Sequence, residues 1–482
     1  MDLTSKVQNS ACKPPVVQEK RSKIAFRILL VFLLLYFARP EDFIPGLKFI
    51  PVAKITGGLS LLGLIFGMQG PRPTKKLPFE IKILIAMLGW LAFTIPFAWW
   101  KGGAFATVVN RFSKAVIVAF LVTLLVERLD ELRKLLFVQA SCLTLMTTVS
   151  IVMYHGGRMK GAVGGVFGNP NELAVHIALN WPLAFAFFLL TKNLGKKMIW
   201  AGSMLIMLIG VTLTYSRSGF LSLILSGLVC LYQFGVKGHR IHLLLFAVIA
   251  SILLAVCAPL VGLSSKTWVR RMETIVSNDM EGSWDHGSKK QREELLKMSL
   301  QLMFSHPFVG IGPGNFASVS GTWHVAHNTY TELGAEAGLP ALLMFVMLLI
   351  RARGNLKRVT RSKGFKQDME IQIFTGALWA SFVAYLVGAA FSDTQYHLFP
   401  YVLVAYTTAL YNLARALPAE TEPGMKDRSE KAGAESMIDA RVAQTECAYY
   451  SDYSYRNDSL SRRLAGIIRE GHYERWSVVQ TG

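Results

Sequence analysis

The chain has 482 residues, 52% of them hydrophobic and 17% charged, with a formal net charge of +20. Together with a positive mean hydropathy, this excludes an ordinary soluble protein of this size, and the apolar residues come in blocks. The basic excess lies in tails and loops beside those blocks, where it reports membrane orientation and attracts anionic lipid, so nucleic acid is not an expected partner.

In chain order, residues 1–23 read as a polar cytoplasmic tail with Lys6, Lys13, Lys20, Arg21 and Lys23. Runs near 20 residues with few charges then predict transmembrane helices, about twelve in all. They fall at 24–38, 52–68, 79–100, 107–126, 132–154, 173–191, 197–215, 218–236, 240–263, 329–350, 371–391 and 397–416. The first follows a basic region like a signal peptide. A cut after Ala38 would put bulky Tyr36 where a small residue is needed, so this run is read as an uncleaved anchor. Arg72, Lys75, Lys76, Arg128, Arg133, Lys134, Lys192, Lys196, Lys197, Lys237 and Arg240 then fall in inner loops. The last inner loop is the most basic, with Arg351, Arg353, Lys357, Arg358, Arg361, Lys363 and Lys366.

Between helices nine and ten lies a long outer loop, 264–328. Within it "SKKQREELLKMSLQLMFSHP" predicts an amphipathic helix. Leu295, Leu296, Leu302 and Met303 recur at helical spacing, Ser288 with Gln291 fits a capping box, and Pro307 stops the helix. "GIGPGNF", 310–316, follows as a tight turn, and the whole is expected to fold as a lid on the membrane part. The fold expected is therefore all-α and polytopic. Helices 1–9 occupy 24–263 and helices 10–12 occupy 329–416, with a flexible cytoplasmic tail at 417–482. In that tail "SLSRRLAGIIREGHYERW" has a weak helical period, that of a surface-lying helix or merely a sticky end. Cys12, Cys142, Cys230, Cys257 and Cys447 are scattered without metal or disulfide spacing and read as small apolar filler.

The unusual polar residues all fall on the outer side. Arg217, in the short turn "TYSRSGF", is either a snorkelling anchor or a planar guanidinium that grips a phosphate. Arg292 is expected in the first turn of the loop helix, near Lys289 and Lys290. It is either part of a solvated face or part of an anion site with the helix N–H groups. His327 is a polar cap or a general base, and His324 is close enough in sequence to compete with it. Asn328, Glu332 and Glu336, four apart, share one face of helix ten. Gly334 and Gly338 make a small-xxx-small pair that reads as helix packing. In "FGNPNELA", Asn169 or Asn171 caps a helix or binds a sugar. Gly312 and Gly314 present backbone N–H groups to an anion or merely turn the chain. There is no metal-ligand cluster, and the adjacent Glu41 and Asp42 are weak candidates for one. There is no phosphate-binding loop for an energy source. Chemistry here would need a substrate that is already activated, with no metal and no cofactor.

Three segments, in this order and spacing, resemble the O-antigen ligase and O-antigen polymerase family of bacterial envelope enzymes. They are "TYSRSGF", "REELLKMSLQLMFSHPFVGIGPGNF" and "HNTYTELGAEAGLPALL". The likeness is most specific over about 165–345 and does not reach the 417–482 tail. It implies a metal-independent glycosyltransferase of GT-C type in the bacterial inner membrane. Such an enzyme moves a glycan from undecaprenyl pyrophosphate to an acceptor hydroxyl on the periplasmic face. The acceptor would be a lipid A core, a growing polysaccharide or a protein. Carried over by motif, Arg217 and Arg292 would bind the pyrophosphate and His327 would be the base. Asn171 would match an outer loop residue of open role. The competing reading is a lipid-linked oligosaccharide transporter without catalysis. Such a protein should carry broken helices or charges at mid-membrane, whereas here the middles of the spans read as mostly clean.

Overall fold

Helices account for all the regular secondary structure among the described residues of this computed structural model, which are 23–38, 58, 77–161, 167–238, 284–322 and 324–416. The chain divides into two compact units, Met1–Leu417 and Pro418–Gly482, and the described residues belong to the first. Apart from Gly58 and Lys23, the predicted spans 52–68 and 240–263, both polar tails, Glu41, Asp42 and the loop part 264–283 lie outside the described residues.

We number the longer helices in chain order. They are α1, Lys23–Ala38; α2, Phe79–Thr94, tightening into a last turn at Ile95–Phe97; α3, Lys101–Leu125; and α4, Leu129–Val152. Next come α5, Pro170–Leu190; α6, Leu194–Leu213; α7, Arg217–Val236; and α8, Trp284–Ser305. Last are α9, Thr329–Val359; α10, Met369–Ala389; and α11, Leu398–Ala416. Among the described residues, the eight helices α2 to α7, α9 and α10 are long and apolar enough to cross a membrane. They correspond to eight of the predicted spans. The apolar part of α1, Ala25–Ala38, is shorter. The run at 397–416 forms α11, which is not among the eight. Tyr401, Tyr406, Thr407 and Thr408 dilute its hydropathy, and all four are buried. A helix enclosed by protein does not need to be apolar enough for lipid.

Local chemistry sets the helix starts. Asn169, Asn193, Ser216, Asn328 and Asp368 each cap a helix by accepting from backbone N–H groups of its first turn. α5, α7 and α10 pack together at the heart of the bundle, with α4 and α6 against α5, while α11 packs on α3 and α9. Close approach depends on small residues. A Cβ added at Gly219 on α7 would strike Ala174 on α5, and one at Gly388 on α10 would strike Val175. At the start of α2, buried Glu80 accepts from Arg351 Nε at 3.1 Å and from Asn355 Nδ2 at 3.1 Å, both on α9. Asn355 Nδ2 also reaches Thr408 of α11 at 3.2 Å.

Three expectations are corrected. α8 starts at Trp284, so Ser288 lies inside the helix rather than at its cap, and Arg292 stands in the third turn, beyond reach of the free N–H groups at the start. The aspartate and tryptophan before Ser288 extend the helix because nothing in "WDHG" breaks it strongly. Secondly, Gly338 does more than pack: α9 breaks there, with φ 77° and ψ 172°. Leu339 N donates to Pro307 O at 2.7 Å instead of along the helix, and Pro340 has no N–H. The carbonyls left over find other donors. Ala335 O accepts from Ile311 N at 3.0 Å, Glu336 O from Gly312 N at 2.8 Å, and Ala337 O from Trp90 Nε1 at 2.9 Å. The third correction concerns the spans, whose middles are not clean. Glu172, His176 and Asn180 form a buried polar stripe along α5. Gln139 Nε2 of α4 donates to Asn180 Oδ1 at 2.8 Å, and Tyr406 OH of α11 donates to Gln139 Oε1 at 3.0 Å.

Candidate functional site

The described part of the 264–328 loop builds a second small core on the first segment of α9. Leu295, Met303, Ile311, Phe316, Ala326 and Ala335 are buried together. Ser299 Oγ of α8 donates to Thr331 Oγ1 at 2.8 Å, and Met303 fills the place a side chain at Gly334 would take. The expected lid is therefore a packed part of the bundle, and it ends in the turn that presents His327.

That turn is held from two sides. Glu332 is buried, and its Oε2 accepts from Ala326 N at 2.8 Å. Thr329 Oγ1 donates to Ser392 O at 2.6 Å and accepts from Thr394 N at 2.9 Å. Between these anchors His327 takes φ 55°. Among the described residues only His327 and Tyr215 combine a side chain with positive φ. Tyr215 lies two residues before Arg217, so both strained positions of the described chain border candidate residues. His327 is half-buried, and its Nδ1 is enclosed without a hydrogen-bond partner. Desolvation lowers its pKa to about 4, helped by Arg292, His324 and Arg158. The imidazole is thus neutral at pH 7 and able to accept a proton.

Arg292, expected near the site, acts on His327 from α8. Arg217 opens α7, and Ser216 before it is the cap, accepting from Gly219 N at 3.3 Å. Asn171 connects this helix start to the rest. Its Oδ1 accepts from Ser216 Oγ at 3.0 Å and from Arg158 Nη2 at 2.7 Å, and Arg158 in turn acts on His327. Asn169, not Asn171, is the cap of α5. Asn328 uses its side-chain oxygen on Tyr330 N and Thr331 N, at 3.0 and 3.1 Å. Gly312 and Gly314, with φ 105° and 74°, pack where a Cβ would strike Ala98 and Thr107 respectively. The N–H of Gly312 is occupied by Glu336 O, and Glu336 Oε1 accepts from Phe316 N at 2.9 Å. The structure therefore brings His327, Arg292, Arg158, Asn171 and the start of α7 into one connected set. It places Asn328, Glu332, Gly312 and Gly314 in the frame that holds the set.

Two groups were missed in the sequence. The segment Ser392–His397 between α10 and α11 carries six polar-tipped residues in a row and lies against Thr329. Within it Asp393 Oδ1, Gln395 Oε1, Tyr396 OH and His397 Nδ1 are enclosed without partners among the described residues. Burial raises the Asp393 carboxyl above the ordinary range, against the pull of a hydrogen bond with Glu172 and of Arg111. Arg111 stands in the π-helical turn Val108–Phe112 of α3, a distortion common at functional sites. The legible signal was density: six polar residues between two apolar runs. Arg158 was missed although, like Arg217, it is an arginine in a loop between two apolar runs. No group of three or more His, Cys, Asp or Glu able to hold a metal ion occurs among the described residues.

Residues 202–346 match the protein-family model described as O-antigen ligase. The match begins in α6, spans Arg217, Arg292 and His327, and ends in α9. No curated protein matches the chain.

Proposed function

We propose, from the premise that the chain is a member of the O-antigen ligase family, that it is a multi-pass glycosyltransferase of the bacterial inner membrane with its site on the periplasmic face. The donor is a glycan on undecaprenyl pyrophosphate. The acceptor is a hydroxyl of a lipid A core, a growing polysaccharide or a protein. The full molecule has about twelve spans in a GT-C-like arrangement, a number in keeping with its apolar runs.

The observation that carries this reading is the setting of His327. It is a neutral imidazole on strained backbone, with one nitrogen enclosed and two arginines close enough to depress its pKa. A base surrounded by cations suits a reaction in which a hydroxyl loses a proton while an anion departs. His327 takes the acceptor proton, the acceptor oxygen bonds the anomeric carbon, and the sugar–phosphate bond breaks. Arg217 and Arg292 receive the charge that grows on the departing diphosphate. Guanidinium groups there supply the neutralisation for which other transferases use a divalent ion, so the reaction proceeds without metal or cofactor. Asn328, Glu332, Gly312 and Gly314 keep the site in shape and meet the substrate, if at all, through their backbones.

A second reading has its own support. The break at Gly338 and the buried stripe Glu172–His176–Asn180 are of the kind found in membrane transporters. The two readings separate in a transfer assay in nanodiscs, with undecaprenyl-pyrophosphate glycan, an envelope acceptor and EDTA. The transferase gives product with EDTA present, and His327→Ala, Arg217→Ala and Arg292→Ala each lose roughly 100-fold or more. Binding or flipping of the lipid with no transfer to any envelope acceptor would establish the transporter instead.

A further inference from the structure

We propose that Arg158 is a third guanidinium of the diphosphate site and that Asn171 is the residue that positions it. This rests on the reading of a diphosphate leaving group given above.

Arg158 lies in the outer loop between α4 and α5. Two of its donors are fixed by two different elements: Nη2 donates to Asn171 Oδ1 at 2.7 Å and Nε to Thr214 O at 3.1 Å. Met159 N, the next backbone group, donates to Leu213 O at 2.9 Å and keeps the loop beside the end of α6. The acceptors of these two bonds are neutral carbonyl oxygens, so the two bonds aim the cation without themselves cancelling its charge.

The same Asn171 oxygen also accepts from Ser216 Oγ at 3.0 Å. Ser216 caps α7, whose first residue is Arg217. One carboxamide therefore sets the Arg158 loop and the Arg217 helix start in register. The group reaches the reacting end as well, since Arg158 acts on His327 beside Arg292 and His324. A departing lipid diphosphate carries more negative charge than two guanidinium groups neutralise, and a third, aimed from a separate loop, fits that need.

The test uses full-length protein in nanodiscs, with Arg158→Gln, Arg158→Lys, Asn171→Ala and Asn171→Asp. Two things are read: the affinity for undecaprenyl pyrophosphate itself and the pH profile of kcat/KM. Arg158→Gln is expected to weaken lipid binding about 10- to 100-fold, the range for a lost charge-assisted hydrogen bond. It should also move the acidic limb of the profile upward, because one of the cations that depress His327 is gone. Arg158→Lys keeps the charge, so its limb stays low while binding falls less. Asn171→Ala acts in the same direction as Arg158→Gln. Asn171→Asp is the decisive variant. It still accepts from Arg158 and Ser216 and so keeps the fold, but it neutralises Arg158 and should lose affinity like Arg158→Gln. A purely structural Asn171 would leave Asn171→Asp with native affinity. Native affinity in folded Arg158→Gln overturns the proposal, as does a native protein that binds no undecaprenyl pyrophosphate. If the native protein binds the lipid, Arg158→Gln does not, and no transfer occurs, the diphosphate site stands and the transferase reading fails.

Discussion

His327 joins three conditions that rarely meet in one side chain: left-handed backbone, an enclosed ring nitrogen and cationic neighbours. The first costs of order 1–3 kcal/mol, which the Glu332 and Thr329 anchors on either side offset. The sign of its pH behaviour follows from the lowered pKa. A base works in its neutral form, so activity is present above the pKa and is lost as pH falls through it. For the free enzyme the acidic limb of kcat/KM is expected near pH 4 rather than at the ordinary histidine value. On the proposed reading, a diphosphate bound in the loaded enzyme offsets the arginines, so the limb in kcat should lie higher. A profile of both parameters between about pH 3 and 7.5, roughly one decade of proton activity beyond each pKa, checks this. A limb near 6.5 in both would mean that His327 is solvated or is not the base. Glu332→Ala should lower kcat by an order of magnitude or more without removing any group that touches substrate, because Ala326 loses the acceptor that holds the turn.

At the scale of the element, α9 is two helical segments joined at Gly338. The break is complete in its hydrogen bonding, with the freed carbonyls taken by the 307–312 loop and by Trp90. The lid is thereby tied into the span instead of lying loosely over it. A side chain at Gly338 is opposed twice, by φ 77° and by the Phe308 carbonyl where a Cβ would stand. Gly338→Ala is expected to cost several kcal/mol, at least about 2, and to unseat the lid. Gly354→Ala, on the same helix with nothing within 4 Å of the added carbon, should be neutral or stabilise by up to about 1 kcal/mol. Thermal unfolding of both variants in detergent decides the matter. Equal midpoints would show that the break is not needed. The π-helical turn at Val108–Phe112 is a second irregular element, and it brings Arg111 toward the Glu172 and Asp393 carboxyls.

Across the whole molecule, ionic and polar groups gather at two levels. One is a clamp: Glu80, Arg351, Asn355 and Thr408 join α2, α9 and α11. Glu80 is buried while the Arg351 side chain is 29% exposed, so the pair is desolvated on one side only. Glu80→Ala leaves a basic group against an apolar bundle and should cost about 3 kcal/mol, the lower end of the range for a broken buried pair. The expected signature is a lower unfolding midpoint with donor affinity unchanged. A change in donor affinity would instead mean that the clamp communicates with the outer site. The other level is the candidate site, assembled from the Arg158 loop, the starts of α5 and α7, the lid with α9, and the turn Ser392–His397. Substitutions there should separate from the clamp by changing activity more than stability.

Much of this was determined by the residues alone. Apolar runs of the right length marked about twelve spans, and eight of them are helices long and apolar enough to cross a membrane among the described residues, because a chain in lipid must satisfy its backbone within each helix. Pro307, Asn169, Ser216 and Asn328 acted locally, and their roles as stop and caps follow from rules that span a few residues. His327, Arg292 and Arg217 could be picked out as candidates because polar residues of those types are conspicuous beside apolar runs. What lay hidden needed the third dimension. Gly338 looks like any packing glycine until the Phe308 carbonyl is seen against it. Asn171 and Arg158 are thirteen apart, and Asn171 and Ser216 forty-five apart, so no periodicity could pair them. Asp393 and Glu172 meet only because α5 and α10 pack together. Helix existence and caps depend on neighbours in sequence, whereas the approach of one loop to another depends on how the whole bundle closes. The tertiary structure alone decided which polar residues share a site.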